Sequence, residues 1–209
     1  AAIPGGDANF LFAAAHSLFQ GELQGITQIR TPSRATTTTA AATEDVAEHV
    51  AEDVAETTGP GTAEATAAET AASGIHWAFG PTLAVPQDDR WGRAYEGYSE
   101  NPALVAAYAA PMIEGLQGAP GTPNTVQAGR VSASVKHFLG DGGTTEGIDQ
   151  GDTQVDEDTL IRIHDAGYPP AVDAGTMTVM ASFQSWNGIK MHGNKALLTD
   201  VLKGRMGFD

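Results

Sequence analysis

From Ile75 onward the chain alternates short apolar runs with segments whose apolar positions recur every third or fourth residue. Ile75 to Phe79 predicts a short strand, Pro81 follows it, and Leu83 to Pro86 is a second apolar stub. Asn101-Pro102 predicts a helix start, with Leu104, Val105, Tyr108, Met112, Ile113 and Leu116 on one face and proline in the first turn. Gly118 to Gly129 is a Gly/Pro-rich connection, and Val131 to Phe138 predicts a buried strand. Asp156 suits the cap of a helix carrying Leu160, Ile161 and Ile163. Tyr168-Pro169-Pro170 is expected to interrupt it, with Ala171 to Ala174 as a short helical turn. The β-prone run Thr176 to Phe183 predicts another strand, Ser185 to Asn194 a polar loop, and Ala196 to Gly204 a helix. Gly207 stops that helix, and Phe208-Asp209 reads as the start of one more strand. Strand, loop and helix in this order predict a parallel sheet with helical crossovers, either a (β/α) barrel or a doubly wound sheet. No GxGxxG follows a strand, so nothing supports a dinucleotide fold.

The first third has a different texture. Residues 1–34 predict one helix, Ala8 to Gln24, closed by Gly25 and by Thr31-Pro32-Ser33. Residues 35–73 are nearly all Ala, Thr, Glu, Asp and Val, without an aromatic residue, Leu or Ile. Val46, Val50 and Val54 suit a thin helix from Glu44 to Glu56. A second Ala-rich helix is expected from Thr62 to Ala72, after a break at Gly59-Pro60-Gly61. The segment is too poor in bulky side chains to make a core layer alone. It reads as a flexible acidic linker, as a pair of surface helices, or as a stretch of unreliable residue identity. Three regions are therefore expected: a helical segment over 1–34, a low-complexity segment over 35–73, and the α/β core over 74–209.

Composition narrows the function classes. The 209 residues suffice for one large domain or two small ones. Cysteine is absent, which excludes disulfides and thiolate chemistry. Eleven Lys and Arg against 26 Asp and Glu give a formal net charge of -15. Such a chain repels phosphate backbones and anionic bilayers, so no nucleic-acid partner is expected. No apolar run of about 18 residues suggests a membrane span. The chain opens AAIPGGD without a methionine or a signal peptide, which reads as a processed, trimmed or incomplete N-terminus.

Three polar loops follow the expected strands. The first is Asp88-Asp89-Arg90-Trp91-Gly92-Arg93. The Arg93 fork suits paired hydroxyls or a carboxylate, whereas Arg90 is expected to pair with an aspartate above a packed Trp91. The second is Lys136-His137 and the glycines at 140, 142 and 143. Adjacent strand residues point to opposite faces, so both reach one ligand only where the strand ends or bulges. The third runs from Ser182 to His192, where Met180, Phe183, Trp186, Asn187, Lys190 and His192 suit either a sugar ring or a packed aromatic lid. No nucleophile elbow, HExxH, P-loop or EF-hand pattern occurs, and His76, His137, His164 and His192 are not spaced as metal ligands. Spacing selects no acid/base pair from the many carboxylates.

The stretches GIHWAFGPTLAVPQDDRWGRAYEGYSENP, SVKHFLGDGGTTEGIDQGDT and TVMASFQSWNGIKMHGNKALLTDVLKGRMGFD stand in this order in the chain. Together they resemble the N-terminal barrel domain of family 3 glycoside hydrolases, closest to its β-glucan glucohydrolase and β-glucosidase branch. The resemblance covers about Thr62 to Asp209. It implies a (β/α)8 TIM-like barrel, partial in this chain, since a whole one needs about 250 residues. It also implies retaining hydrolysis of terminal β-D-glucosyl residues by two carboxylates about 5–5.5 Å apart. By resemblance, Arg93, Lys136 and His137 bind sugar hydroxyls, Phe79, Met180 and Phe183 line the pocket, and Asp141 belongs to the glycine loop that shapes the substrate-binding site.

The departures are as informative. The family nucleophile follows a GFD-ending motif, so it is expected just beyond Asp209, and the acid/base residue in a later domain. A GxDAVHG-like loop has no counterpart, and Asp7 in GGDAN is a poor substitute. The expectation is a glycosidase of β-glucosides or β-glucan oligosaccharides that needs no cofactor. It would work with a C-terminal domain, be secreted or periplasmic, and show no turnover as 209 residues alone. The second reading is a β-N-acetylhexosaminidase of the same family. It fits less well, because KHFLGDGG carries Asp141 where that branch has a histidine. The third is a non-catalytic sugar-binding remnant.

Overall fold

The computed structural model describes residues 59–118 and 126–209, all within one compact unit, Glu44–Asp209. The expected helices Ala8–Gln24 and Glu44–Glu56, and Asp7, lie outside the described residues.

Residues 59–72 are helical (α1), and Pro102–Gln117 form a second helix, α2. The Gly59-Pro60-Gly61 stretch, expected as a break, lies inside α1. Packing explains the difference. Ala63 and Ala67, one turn apart, are fully buried, and Gly115 of α2 sits against Ala63. A Cβ on Gly115 would fall 2.3 Å from the Ala63 Cβ, so α1 lies close on α2 although it carries no bulky side chain. Arg130 reinforces the contact, donating to the Gly115 carbonyl at 2.5 Å and pairing with Glu64 at 2.7 Å. Gly115→Val is expected to destabilise the fold by about 2 kcal/mol through overpacking. Urea denaturation checks this, and Ala63→Gly should return part of the loss.

The α2 boundaries follow local chemistry. Asn101 accepts from the Ala103 N–H at 2.9 Å as N-cap, and Pro102 occupies the first turn. The expected face is the buried one: Val105, Tyr108, Met112, Ile113 and Leu116 are all inside, while Leu104 is half-buried.

Strand β1 is Ser134–Phe138, and every residue in it is buried. It pairs in parallel with β3, Thr178–Ala181. On its other side runs the extended segment from His76 to Leu83, joined through Trp77–Ser132 and Thr82–Lys136 bridges. That segment was expected to be a strand over Ile75–Phe79, but among the described residues it makes isolated bridges instead. Pro81 lacks an N–H, which breaks the donor series. The apolar residues Val131, Ala133, Val135 and Phe138 make β1 legible in sequence, although Ser134, Lys136 and His137 between them are buried as well.

The crossover from β1 to β3 is helical. Glu157–Thr159 opens it (α3), capped by Asp156, whose Oδ1 accepts from the Thr159 N–H at 2.8 Å. The helix widens to a π-turn over Leu160–His164. Tyr168-Pro169-Pro170, expected to interrupt, instead begins the helix α4, Tyr168–Asp173, because proline fits the first turn.

The polar loop after β3 holds a hairpin: β4, Ser185–Trp186, is antiparallel to β5, Ile189–Lys190. Asn187 (φ 47°) and Gly188 (φ 83°) form its turn, the Asn-Gly pairing that suits a tight hairpin. In parallel to β4 lies β2, Asp152–Thr153. The chain ends in a π-helix, Ala196–Arg205 (α5). The described residues thus form a mixed α/β arrangement around a parallel β1–β3 pair, with the second small sheet built by loops after the strands.

Candidate functional site

The C-terminal end of β1 delivers the chemistry. Pairing with β3 is regular through Lys136–Met180, then shifts so that Phe138 faces Ala181 and His137 is left out of register. The irregularity breaks the alternation of faces, and both Lys136 and His137 reach one cluster. Beyond β1, Gly140 is left-handed (φ 96°) and turns the chain. Gly142 lies so close to the Val85 carbonyl that a Cβ there would be 2.4 Å away. These two glycines place Asp141, itself buried, beneath the imidazole.

Arg93 and Glu96 sit at the two ends of a single tight turn. Arg93 Nε donates to Glu96 Oε1 at 2.7 Å, and Nη2 to Oε2 at 2.8 Å. Glu96 Oε2 also lies 3.5 Å from Lys136 Nζ. Arg93 Nη2 is 3.0 Å from His137 Nε2, and His137 Nδ1 is 2.7 Å from Asp141 Oδ2. A guanidinium only donates, so His137 Nε2 accepts and its Nδ1–H donates to Asp141. The cluster is therefore one series: Lys136, Glu96, Arg93, His137, Asp141.

The electrostatics follow from burial and contact. The hydrogen bond to Glu96 raises Arg93 further above its ordinary value. Burial pushes Glu96 upward, but the Arg93 hydrogen bond and the positive charges of Lys136 and Arg93 outweigh it, so the carboxyl lies below its usual range. Burial lowers Lys136, assisted by repulsion from Arg93 and opposed by attraction to Glu96.

The other expected residues divide. Met180 lies beside Lys136 on β3 and is half-buried. Phe183, 66% exposed, follows β3 at the same end of the sheet, edge-on to His192 with ring centroids 6.0 Å apart. Phe79 lies on the extended segment that flanks β1. It packs edge-on against Trp77 at 4.7 Å, and Trp77 donates to Thr178 Oγ1 at the start of β3. Trp186 and Asn187 both donate to the Val155 carbonyl at 2.9 Å, and Lys190 donates to the Phe183 carbonyl at 2.9 Å, so these polar groups hold the hairpin. Arg90 pairs with Asp88 at 2.6 Å beside a buried Trp91, as expected. Trp91 donates to Asp149 Oδ1 at 3.1 Å and ties the arginine loop to the glycine loop.

Glu96 is the site residue that sequence reasoning missed. It is one of 26 acids, and only its three-residue spacing from Arg93 in a turn would have singled it out. Chemically, the cluster offers cationic donors and a carboxylate in a partly dry setting, a set suited to adjacent hydroxyl groups.

The profile of the glycosyl hydrolase family 3 N terminal domain matches residues 25–209. A β-xylosidase of Formosa agariphila is 36% identical over 140 residues, covering 66% of this chain and 19% of its own. A periplasmic β-glucosidase of Salmonella typhimurium is 30% identical over 135 residues, 65% of this chain and 17% of its own. The crystal structure of an exo-1,3/1,4-β-glucanase from a Pseudoalteromonas species superposes with a TM-score of 0.71 and 50% identity, over 77% of this chain and 20% of that one. This chain belongs to glycosyl hydrolase family 3. It spans about a fifth of the length of these relatives.

Proposed function

We propose that the protein acts in retaining hydrolysis of terminal β-D-glucosyl residues from β-glucosides or β-glucan oligosaccharides, and that these 209 residues supply its sugar-binding face. The observation that carries the reading is the joining of Arg93, His137 and Lys136 into one cluster at the end of β1. The 50% identity to an exo-1,3/1,4-β-glucanase supports a glucosyl substrate. A β-glucosidase of Listeria innocua, 34% identical with a TM-score of 0.65, is known in complex with glucose and with laminaribiose.

On this reading Arg93, Lys136 and His137 hold hydroxyls of the sugar, Met180 and Phe183 wall the pocket, and Asp141 orients His137. The barrel is a (β/α)8 barrel of which β1 and β3 are neighbouring strands, and residues 74–209 are its core. The nucleophile and the acid/base carboxylates come from chain outside these residues, the latter from a C-terminal domain. The periplasmic and lysosomal relatives support an exported protein. Among the described residues no helix is long and apolar enough to cross a membrane.

Calorimetric titration with glucose, xylose and N-acetylglucosamine tests the reading. Glucose is expected to bind most tightly. Preference for N-acetylglucosamine, or no saturable sugar binding, overturns it. Preference for xylose would move the substrate class toward that of the Formosa relative. The 209-residue chain is also expected to release no nitrophenol from para-nitrophenyl β-glucoside. Turnover that survives removal of contaminating glucosidases would refute the placement of the catalytic carboxylates.

A further inference from the structure

Both oxygens of Glu96 are engaged. Oε1 accepts from Arg93 Nε, and Oε2 meets Arg93 Nη2 and Lys136 Nζ. The carboxylate thereby occupies the Nε–Nη2 edge of the guanidinium, while His137 takes a second contact on Nη2. No protein hydrogen bond engages Nη1 among the described residues. A planar fork pinned along one edge has a single orientation, and the rotamer freedom of a long side chain is removed before a ligand arrives. Glu96 is nearly buried, with 11% of its side chain exposed, and Lys136 more so, with 7%. Removing its charge would leave two cations facing each other.

We propose that Glu96 is the positioning residue of this site: it aims Arg93 Nη1 and keeps the Lys136 ammonium charged, so that both donors meet one sugar together. Glu96 does not itself touch the sugar. The inference rests on the sugar-binding reading for its ligand, but its electrostatic half stands without one.

Several charged groups among the described residues face Lys136. Glu96 and Arg93 lie on the turn before α2, Asp141 on the glycine loop, and His137 next to it on β1. Its neighbour on β3 is Met180, and Thr178–Ala181 contains no titratable residue. Burial and Arg93 already disfavour the ammonium, with Glu96 the largest opposing influence. With glutamine at position 96, Lys136 should lose its proton at a lower pH than in the unaltered protein. Since a cationic donor works only below its own pKa, sugar affinity in the variant should fall as pH rises through that midpoint.

The experiment compares the full chain with Glu96→Gln. Nuclear magnetic resonance of the lysine Nζ and Cε follows Lys136 without sugar, and calorimetry follows glucose affinity across pH. Glu96→Gln is expected to move the Lys136 titration to lower pH and weaken glucose binding roughly tenfold or more, with the loss growing as pH rises. An unmoved Lys136 titration, or a loss equal at every pH, would overturn the proposal, since a merely structural glutamate would change only the melting point. If Lys136 shifts while the unaltered protein binds no glucose, the electrostatic role stands and the functional reading fails. Should Glu96→Gln not fold, Glu96→Asp carries the test. It keeps the charge and shortens the reach, so Lys136 should titrate as before while glucose affinity drops. Wild-type affinity in Glu96→Asp would overturn the aiming of Arg93.

Discussion

Arg93→Ala is expected to weaken glucose binding by roughly 100-fold and to destabilise the fold by about 2 kcal/mol. The binding loss has two sources. One is the missing donor itself. The other is the disorganisation of what Arg93 holds: Glu96 loses two hydrogen bonds, and His137 Nε2 loses the donor that fixes its tautomer. The stability loss is held to the lower part of the range for buried pairs because the Arg93 side chain is 33% exposed, and water screens part of the interaction. Arg93→Lys separates charge from shape. It restores the positive charge but cannot span Glu96 and His137 as a planar fork, so it should recover most of the stability and little of the affinity. Calorimetric titration and urea denaturation of the two variants check both halves. Equal glucose affinity in Arg93→Lys and the unaltered protein would show that only charge matters.

What the sequence made legible depends on which interactions are local. The strand character of β1 could be read from Val131, Ala133, Val135 and Phe138, whereas the burial of its polar residues Ser134, Lys136 and His137 depends on neighbours far along the chain. The helix start at Asn101-Pro102 and the Asp156 cap were legible because the interactions that set them span two or three residues. The contact of α1 with α2 was not. It depends on Gly115 meeting Ala63, 52 positions earlier in the chain, and a run of alanines carries no sign that a glycine awaits it. The site divided along the same line. Lys136 and His137 stood out as neighbours beside a glycine loop, whereas their register shift depends on β3, forty residues away. Phe79 stood out through its motif, whereas its ring packs on Trp77, whose tie to the beginning of β3 joins residues about a hundred positions apart and was not legible. Glu96 was hidden by its chemistry, since an acidic residue in an acidic chain has no contrast until its partners are known.

The neighbours His164 and Asp165 should oppose each other in the pH dependence of stability. Both are buried, and among the described residues His164 Nδ1 and Asp165 Oδ1 have no hydrogen-bond partner. Asp165 faces a groove walled by Leu139, Leu160, Leu197 and Val201. Burial alone depresses His164 to about 4 and raises Asp165 to about 7, so each is neutral in the fold at intermediate pH. The signs follow from linkage. The folded pKa of His164 lies below its unfolded value of 6.5, so its contribution is full above 6.5 and is lost as pH falls to about 4, by about 3 kcal/mol. The folded pKa of Asp165 lies above its unfolded value of 3.8, so its contribution is full below 3.8 and is lost as pH rises to about 7, by about 4 kcal/mol. Between about pH 4 and 6.5 the slopes cancel, and the pair together leaves stability nearly flat. Asp165→Asn removes the falling limb, so stability relative to the unaltered protein should climb by about 3 kcal/mol across that window. His164→Gln removes the rising limb and should produce a decline of similar size. Urea denaturation of the three proteins at several pH values reads these differences directly, because every other titrating group is common to all of them. Parallel pH profiles for all three would mean that water reaches these side chains and that neither is held neutral by burial.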